Sequence, residues 1–584
     1  MISTDSPYVL LDDARASGAS PSRLYVDPVE CLTARTLSEV APLLDALRSA
    51  TARGLHVAGF LSYDAGAALL PHQSAFAGGL LAWFGLFEQY QEFDTDVTPS
   101  LLPDASGAWL SPLRPDISRG DYASAFGAVQ EYIKAGDIYQ ANLTFPLQAD
   151  YAGDPLALYA ALRPRAAAGY GGVIWTGEQH YLSFSPELFF ALKDGRVTTK
   201  PMKGTAERHA DPLVDAAETE TLRTDPKQRA ENLMIVDLLR NDLSFVCVAG
   251  SVAVPELFHI ESFPTVHQMT STVTGLLPQD SDAIDVIRAL FPCGSITGAP
   301  KIRAMQIIGE VEKTAPRGIY CGSIGRIDPN GDAAFSVAIR TFTLCEKTKR
   351  VSLGLGSGIV ADSDEAGEWA ECLAKGDFAR VDGYGFDLIE TMRFEPAQGI
   401  SRLELHLERM KASATTFGFE FDRHTARNQL HAATFHLDAL SKIRLLLSKS
   451  GAIAIEIRPL ADTTEPWRVA LGLLPVGNAD FRLSHKTTDR AFYDDARKAA
   501  NADELLFVDA DGFLTEGSIT AIFVERDGKL LSPPLSRGVL PSVFRRELIE
   551  SGKALEADLT PDDLTGEFFI GNSVRGLIPA KRVA

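Results

Sequence analysis

The sequence predicts a mixed α/β protein of two domains, and three observations carry that reading. Strand-like apolar segments and amphipathic helices follow one another from the first residues to the last. The chain of 584 residues is longer than one core ordinarily supports. Near Val381 the pattern of short strands and helices restarts, so domains over 1–380 and 381–584 are expected.

Composition narrows the function. With 45% hydrophobic and 23% charged residues the chain is ordinary globular protein. A formal net charge of -21 and no Lys/Arg-rich block argue against nucleic acid as a partner, and an anionic substrate would need local cations. Cys31, Cys247, Cys293, Cys321, Cys345 and Cys372 show no CxxC spacing, so neither a zinc site nor a disulfide framework is indicated. The opening residues lack a basic-then-apolar signal pattern and no apolar run reaches membrane-spanning length, which makes a cytoplasmic location the expectation and leaves out a membrane.

The elements follow in order. YVLLDD reads as a strand, LSEVAPLLDALRSATARG as a helix ended by Gly54, and HVAGFLSYDAG and LLAWFGLFEQY as strands. Gln91 to Ser118, rich in proline and aspartate, reads as a linker crossing the surface. A helix from Ser118 or Asp121 carries Phe126, Val129, Tyr132 and Ile133 on one face and stops at Gly136. The strand DIYQANLTFPLQAD comes next, with three strand candidates between Tyr170 and Thr199.

The segment Phe184 to Asn241 concentrates chemistry. Glu187 ends an aromatic strand, where an apolar surround would keep it protonated as an acid. Lys203 sits in a Pro-Met-Lys-Gly-Thr turn, where desolvation and a neighbouring cation would favour the neutral, nucleophilic amine. Glu231 opens the helix over 231–242. Each alone reads better as a solvated charge, and only the constellation suggests an active site.

Further on, the loop PCGSITGAP before a helix opened by Pro300 offers backbone N–H groups to an anion. Read alone, a plain tight loop explains it equally well. Gly354, Gly356 and Gly358 in one strand would let a ligand approach the backbone, or would mark a bulge. Glu368, Glu371 and Lys375 share a helix face, which by itself is more often an ion-pair ladder than a metal site. After Val381 come strand GFDLIETMRF, helix HLERMKASATTFGF, strands KIRLLLSKSG and AIAIEIRPL, the basic LSHKTTDRAFYDDARKA, strand ELLFVDADGFLTEGSITAIFVERDG, and a final helix and strand.

DIYQANLTF, FSPE, PMKGT, ENLMIVDLLRND, FPTVHQMTSTVTG, GSITGAPKIRAM, YCGSIG, FSVAIRTF and GSGIVADSD, in this order, resemble the chorismate-utilising enzymes over roughly residues 8 to 380. The resemblance implies an anthranilate-synthase-like sandwich of two sheets and a magnesium-dependent cleft for chorismate, a dianion. By position, Glu231 and Glu371 look like Mg2+ ligands, suiting a hard cation that takes carboxylate and substrate oxygens. Arg340 with Gly356, Ser357 and Gly358 look like the cradle of a substrate carboxylate. Thr297, Gly298, Tyr320 and His267 line the same pocket in that pattern. Cys372 stands where the family often has threonine.

Lysine at 203, where anthranilate synthases typically have alanine, resembles the members that aminate ring carbon four. Gln140 stands where isochorismate and salicylate synthases carry a lysine that activates water, and an amide cannot deprotonate water at neutral pH. LLDDAR departs from the LLES pattern tied to tryptophan, so no tryptophan control is expected. No Gly-x-Cys-x-Gly elbow frames Cys293 or Cys321, which implies that ammonia comes from a separate glutamine amidotransferase subunit.

FDLIETMRF, LHLERMKASATTFGF, SHKTTDR, LTEGSITAIF, RGVLPSVFRREL and FFIGNSVRGLIPA resemble the class IV pyridoxal-phosphate enzymes from about 384 to 582. By position Lys486 looks like the lysine that carries pyridoxal 5'-phosphate, Glu516 the partner of its pyridine nitrogen, and Arg409 a phosphate ligand. Backbone at Val539, Leu540 and Ser573 would hold the remaining phosphate oxygens. The strand and loop that precede this motif in the family are missing or merged with the linker after Lys375.

The fusion implies two successive reactions: chorismate to 4-amino-4-deoxychorismate, then loss of pyruvate to give 4-aminobenzoate, a folate precursor. The alternative is an anthranilate synthase large subunit with an accessory or inactive pyridoxal-phosphate-fold docking module. Class IV enzymes usually dimerise, so a homodimer through the second domain is a further expectation.

Overall fold

The computed structural model describes residue 2 and residues 6–70, 78–262, 266–312, 316–380, 385–461 and 465–583. The chain forms two compact units, one of residues 1–102, 112–149 and 159–380, the other of 103–111, 150–158 and 381–584. No helix among the described residues is long and apolar enough to cross a membrane.

In the first unit two antiparallel sheets pack face to face. One runs Arg350–Ile359, Thr341–Cys345, His180–Ser185, Tyr170–Trp175, Tyr8–Asp12, Ser22–Tyr25; the other runs Met202–Glu207, Val266–Leu276, Arg196–Lys200, Leu188–Lys193, Ala333–Val337, Ser323–Ile327, His56–Leu61, Ala82–Phe87. Val9, Ile174 and Tyr181 of the first sheet meet Phe60, Trp83 and Ile324 of the second in one buried cluster, the filling expected of a sandwich. The other face of the second sheet is covered by helices Leu37–Ala52, Pro226–Ser244 and Ala283–Leu290, whose Leu44, Val236 and Ile287 join Phe84, Phe190 and Phe335.

The chain changes sheets at two points that matter below. Strand His180–Ser185 belongs to the first sheet and Leu188–Lys193 to the second, with Pro186 and Glu187 between them. Ala333–Val337 and Thr341–Cys345 are likewise split, with Arg340 at the crossing in a left-handed conformation (φ +50°) that a non-glycine residue adopts at a cost. Ser185 ties the two crossings together, its hydroxyl donating to the Val337 carbonyl at 2.6 Å.

Three local readings change. Residues 103–111, read as part of a surface linker, belong to the second unit, where Trp109 is 4% exposed and packs edge-on against Phe417 at 5.1 Å. Polar flanks concealed a short apolar run, Ala108–Leu110. Glu231 does not open its helix, which spans Pro226–Ser244 and is capped by Asp225 accepting from the Gln228 N–H. Lys203 lies within a strand rather than a turn: Met202–Glu207 pairs with Val266–Leu276, and Gly204 (φ +98°) breaks the register between Met202 and Thr205. That bulge re-aims the lysine.

The second unit has a four-stranded antiparallel sheet, Gly399–Ile400, Leu388–Glu395, Ser441–Leu447, Ile453–Pro459, packed by helices Leu403–Phe417 and Arg423–Thr434. A mixed eight-stranded sheet follows, with Trp467–Leu473 parallel to both Glu504–Val508 and Gly576–Arg582. Residues 381–384, in the linker before the FDLIETM motif, lie outside the described residues.

Candidate active sites

The first unit encloses a cavity of about 520 Å³ lined by Glu187, Lys203, Glu231, Arg340, Glu371 and Tyr320, six residues singled out from the sequence. Glu187 is buried, and its Oε1 accepts a 2.7 Å hydrogen bond from the Ser295 hydroxyl. Burial pushes its carboxyl up to about 7, against the Ser295 bond and the charge of Lys203, which pull the other way. An acid poised near neutrality is what a departing hydroxyl needs.

Lys203 Nζ stands 3.8 Å from the Glu231 carboxylate, so its nearest ion-pair partner is an anion and not the expected cation, although Lys227 lines the same cavity. A Cβ built on Gly358 would lie 2.7 Å from Lys203 Nζ and 2.6 Å from the Gln140 amide nitrogen. The other two glycines of that strand make room for protein, not for a ligand: Cβ atoms there would strike the Tyr320 ring at Gly354 and Thr144 at Gly356.

Arg340 is the cavity's unneutralised charge. Its guanidinium stacks 5.9 Å from the Phe378 ring, no carboxylate pairs with it among the described residues, and burial holds its pKa below the ordinary arginine value. A desolvated cation in a cavity is a standing site for an anion.

The carboxylates divide by environment. Burial raises Glu231 against the pull of Lys203 and Lys227. Burial acts the same way on Glu371, but Lys375 at 2.7 Å, Lys203 and Lys227 together hold it below the ordinary value. Among the described residues no three His, Cys, Asp or Glu side chains stand together as a ready-made metal cage. Two carboxylates suit magnesium, which keeps waters and takes further oxygens from its substrate. The residues present therefore fit that ion.

Four predicted site residues fall outside the cavity lining. Along Val266–Leu276 the side chains alternate, so Val266 and Gln268 face the cavity and His267 faces away, bonded to Asp215 and Ser262. Ser357, between Gly356 and Gly358, turns by the same alternation toward Tyr122 and Cys372. The Thr297 hydroxyl donates back to the Cys293 and Gly294 carbonyls, and Gly298 pairs with Ala141. The N–H groups of Ile296, Thr297 and Ala304 are likewise taken by backbone carbonyls, and the loop contributes Ser295 and Ile296 to the cavity lining. Ser295 went unread because its role depends on a partner 108 residues away.

The second unit encloses a larger cavity of about 810 Å³ lined by Lys486, Glu516, Arg409, Leu540 and Ser573. Lys486 is half-buried, and desolvation, with Arg409 adding, pushes it down to about 7. Glu516 is pushed up to about 7 by burial, while Tyr493 donates to Oε1 at 2.5 Å and the Leu540 N–H to Oε2 at 3.2 Å. The Leu540 N–H is thus committed to Glu516 rather than to a phosphate, and Val539 is buried without lining the cavity. Arg409 donates twice to Glu390, at 2.8 and 2.6 Å, and once to the Pro541 carbonyl at 2.9 Å, leaving two of its five N–H groups for a ligand. A desolvated lysine, a carboxyl held by two donors and an arginine with N–H to spare fit pyridoxal phosphate. Tyr493 and Glu390 were not singled out from the sequence; the former lies one helix turn beyond the SHKTTDR motif, the latter in the middle of FDLIETM.

Known proteins resemble two successive stretches of the chain. A family model described as chorismate binding enzyme matches residues 7–380, and one described as amino-transferase class IV matches residues 387–583. Aminodeoxychorismate synthase component 1 of Klebsiella aerogenes is 42% identical over 313 residues, covering 51% of this chain and 68% of that protein. The protein of the same name from Salmonella typhimurium is 40% identical over 310 residues, covering 53% of this chain and 66% of its own length. The chain thus spans about two thirds of the length of these relatives. Among solved structures, anthranilate synthase component I of Streptococcus pneumoniae aligns with a TM-score of 0.52 at 25% identity, covering 65% of this chain and 94% of that one.

Proposed function

Because the chain belongs to the chorismate-binding enzymes and carries a class IV amino-transferase domain over residues 387–583, we propose that it makes 4-aminobenzoate from chorismate and ammonia in two steps. The observation that carries this reading is the convergence of Lys203, Glu187 and the unpaired Arg340 on one buried cavity. The names of the two relatives favour amination at ring carbon four over anthranilate formation.

In the first step Arg340 holds a carboxylate of the substrate. Lys203 bonds to ring carbon two through its amine nitrogen; both ring double bonds shift and the carbon-four C–O bond breaks. Glu187 gives its proton to the departing oxygen, which leaves as water. Ammonia then bonds to carbon four, the double bonds return, and the carbon-two bond to Lys203 breaks, restoring the amine. The carboxylate left at Glu187 takes the surplus proton from the new ammonium, closing the cycle. Glu231 and Glu371 would hold magnesium, which supplies positive charge to substrate oxygens.

In the second unit Glu516 and Arg409 would hold the cofactor. Bound pyridoxal phosphate supplies an electron sink to the amino-bearing carbon. Lys486 Nζ takes the proton on that carbon, the adjacent C–O bond breaks, and the enolpyruvate leaves with a proton as pyruvate while the ring becomes aromatic. A separate amidotransferase subunit supplies the ammonia in this reading. Two copies pairing through the second unit belong to it as well, and a monomer mass by light scattering would remove that part.

The test is product identification from purified protein with chorismate, magnesium, pyridoxal phosphate and ammonium. 4-Aminobenzoate and pyruvate are expected; anthranilate would overturn the reading and favour the accessory-module alternative.

The acid has a pH signature. Glu187 works protonated, so its contribution to amination should fall about tenfold per unit above about pH 7. Ser295 donates to the ionised form and so lowers Glu187; Ser295→Ala should move that limb to higher pH in a plot of kcat against pH. A limb that stays put or moves to lower pH would remove Ser295 from this role.

A further inference from the structure

The wall of the second cavity contains a buried polar atom without a partner among the described residues. His406 is 1% exposed and lines the cavity, and its Nε2 makes no hydrogen bond to any described residue. The other ring nitrogen is fixed, with Nδ1 2.6 Å from Oε2 of Glu390, itself 1% exposed. Burial opposes ionisation of Glu390, but Arg409 and His406 outweigh it and hold the carboxyl well below its usual range. An ionised carboxylate only accepts, so Nδ1 carries the hydrogen and Nε2 is the bare nitrogen.

The charged groups around the ring are Glu390 on strand Leu388–Glu395, Arg409 one turn further along the same helix, and Lys486. Burial, Arg409 and Lys486 outweigh Glu390 and keep the imidazole neutral. Arg409 shares Glu390 with it and has two N–H groups left, while Ser542, which caps helix Val543–Glu550, and Ser573 line the same cavity. Those are anion donors, yet a dianion brought against a bare nitrogen would meet lone pair with lone pair. One proton between them turns the repulsion into a hydrogen bond.

Resting on the reading that this unit binds pyridoxal phosphate, we propose that His406 is a further phosphate ligand, and that phosphate binding captures a proton from solution between Nε2 and a phosphate oxygen. The proton count is the same whichever atom it sits closer to. A phosphate monoester has its second pKa near 6, so capture approaches one proton near pH 8 and fades near pH 5, where the ligand already carries it.

The test is calorimetric titration of the full chain with pyridoxine 5'-phosphate, which has no aldehyde to react with Lys486, in two buffers of different ionisation enthalpy. Near pH 8 the wild type should take up about one proton more than His406→Gln, whose amide can donate but does not titrate at this pH. Inorganic phosphate, with no ring to protonate, should show the same uptake in the unsubstituted protein, independently of how the variant folds. Binding of both probes without proton uptake, or equal uptake in His406→Gln, would overturn the proposal. Absence of any binding would overturn it together with the cofactor reading, which separates the two failures.

Discussion

Replacing Lys203 by alanine should abolish amination, lowering the rate of 4-amino-4-deoxychorismate formation from chorismate and ammonium by at least about 10³-fold, roughly 4 kcal/mol of transition-state stabilisation. The reason is geometric as well as chemical. The bulge at Gly204 aims this amine at the backbone of Gly358, where both neighbouring strands are fixed in their sheets, and no other lysine in the cavity starts from such a position. Lys227 and Lys375 are held in pairs with Asp362 and Glu371. Release of pyruvate from added 4-amino-4-deoxychorismate, the reaction proposed for the second unit, should be unchanged. A variant that keeps amination within tenfold of wild type would show that Lys203 serves only as a partner of Glu231.

Lys486→Ala should stop the second reaction to a similar degree, with 4-amino-4-deoxychorismate accumulating and the visible absorbance of lysine-bound cofactor missing. The same lysine predicts a pH effect of opposite sign to that of Glu187. Burial and Arg409 push its amine down to about 7, so it is neutral above that value and protonated below. Capture of added pyridoxal phosphate, followed by absorbance after rapid mixing, should therefore slow as the pH drops beneath about 7. Capture at an unchanged rate well below that pH would mean that the amine is not desolvated as described.

Residue types and motif order in the sequence were enough to indicate both cavities, because a strand end or a helix face places a side chain locally. Glu187, Lys203, Glu231, Arg340 and Glu371 all reach one cavity. What escaped the sequence was the direction in which neighbours point. His267 and Ser357 stand one residue from cavity-lining positions, and the two-residue period of a strand sends them to the opposite face. Partners distant along the chain escaped too: Ser295 acts on Glu187, and Glu390 sets the tautomer of His406. The apolar run at Trp109 was hidden by its proline- and aspartate-rich flanks, and what buries it, Phe417, lies some three hundred residues further on.

The two places where the chain crosses between the sheets of the first unit carry Glu187 and Arg340, and neither side chain has a position until both sheets exist. The acid, its serine and the arginine come from residues 187, 295 and 340, contacts of long sequence separation. A chain with one sheet assembled would therefore contain every reactive group and no catalyst.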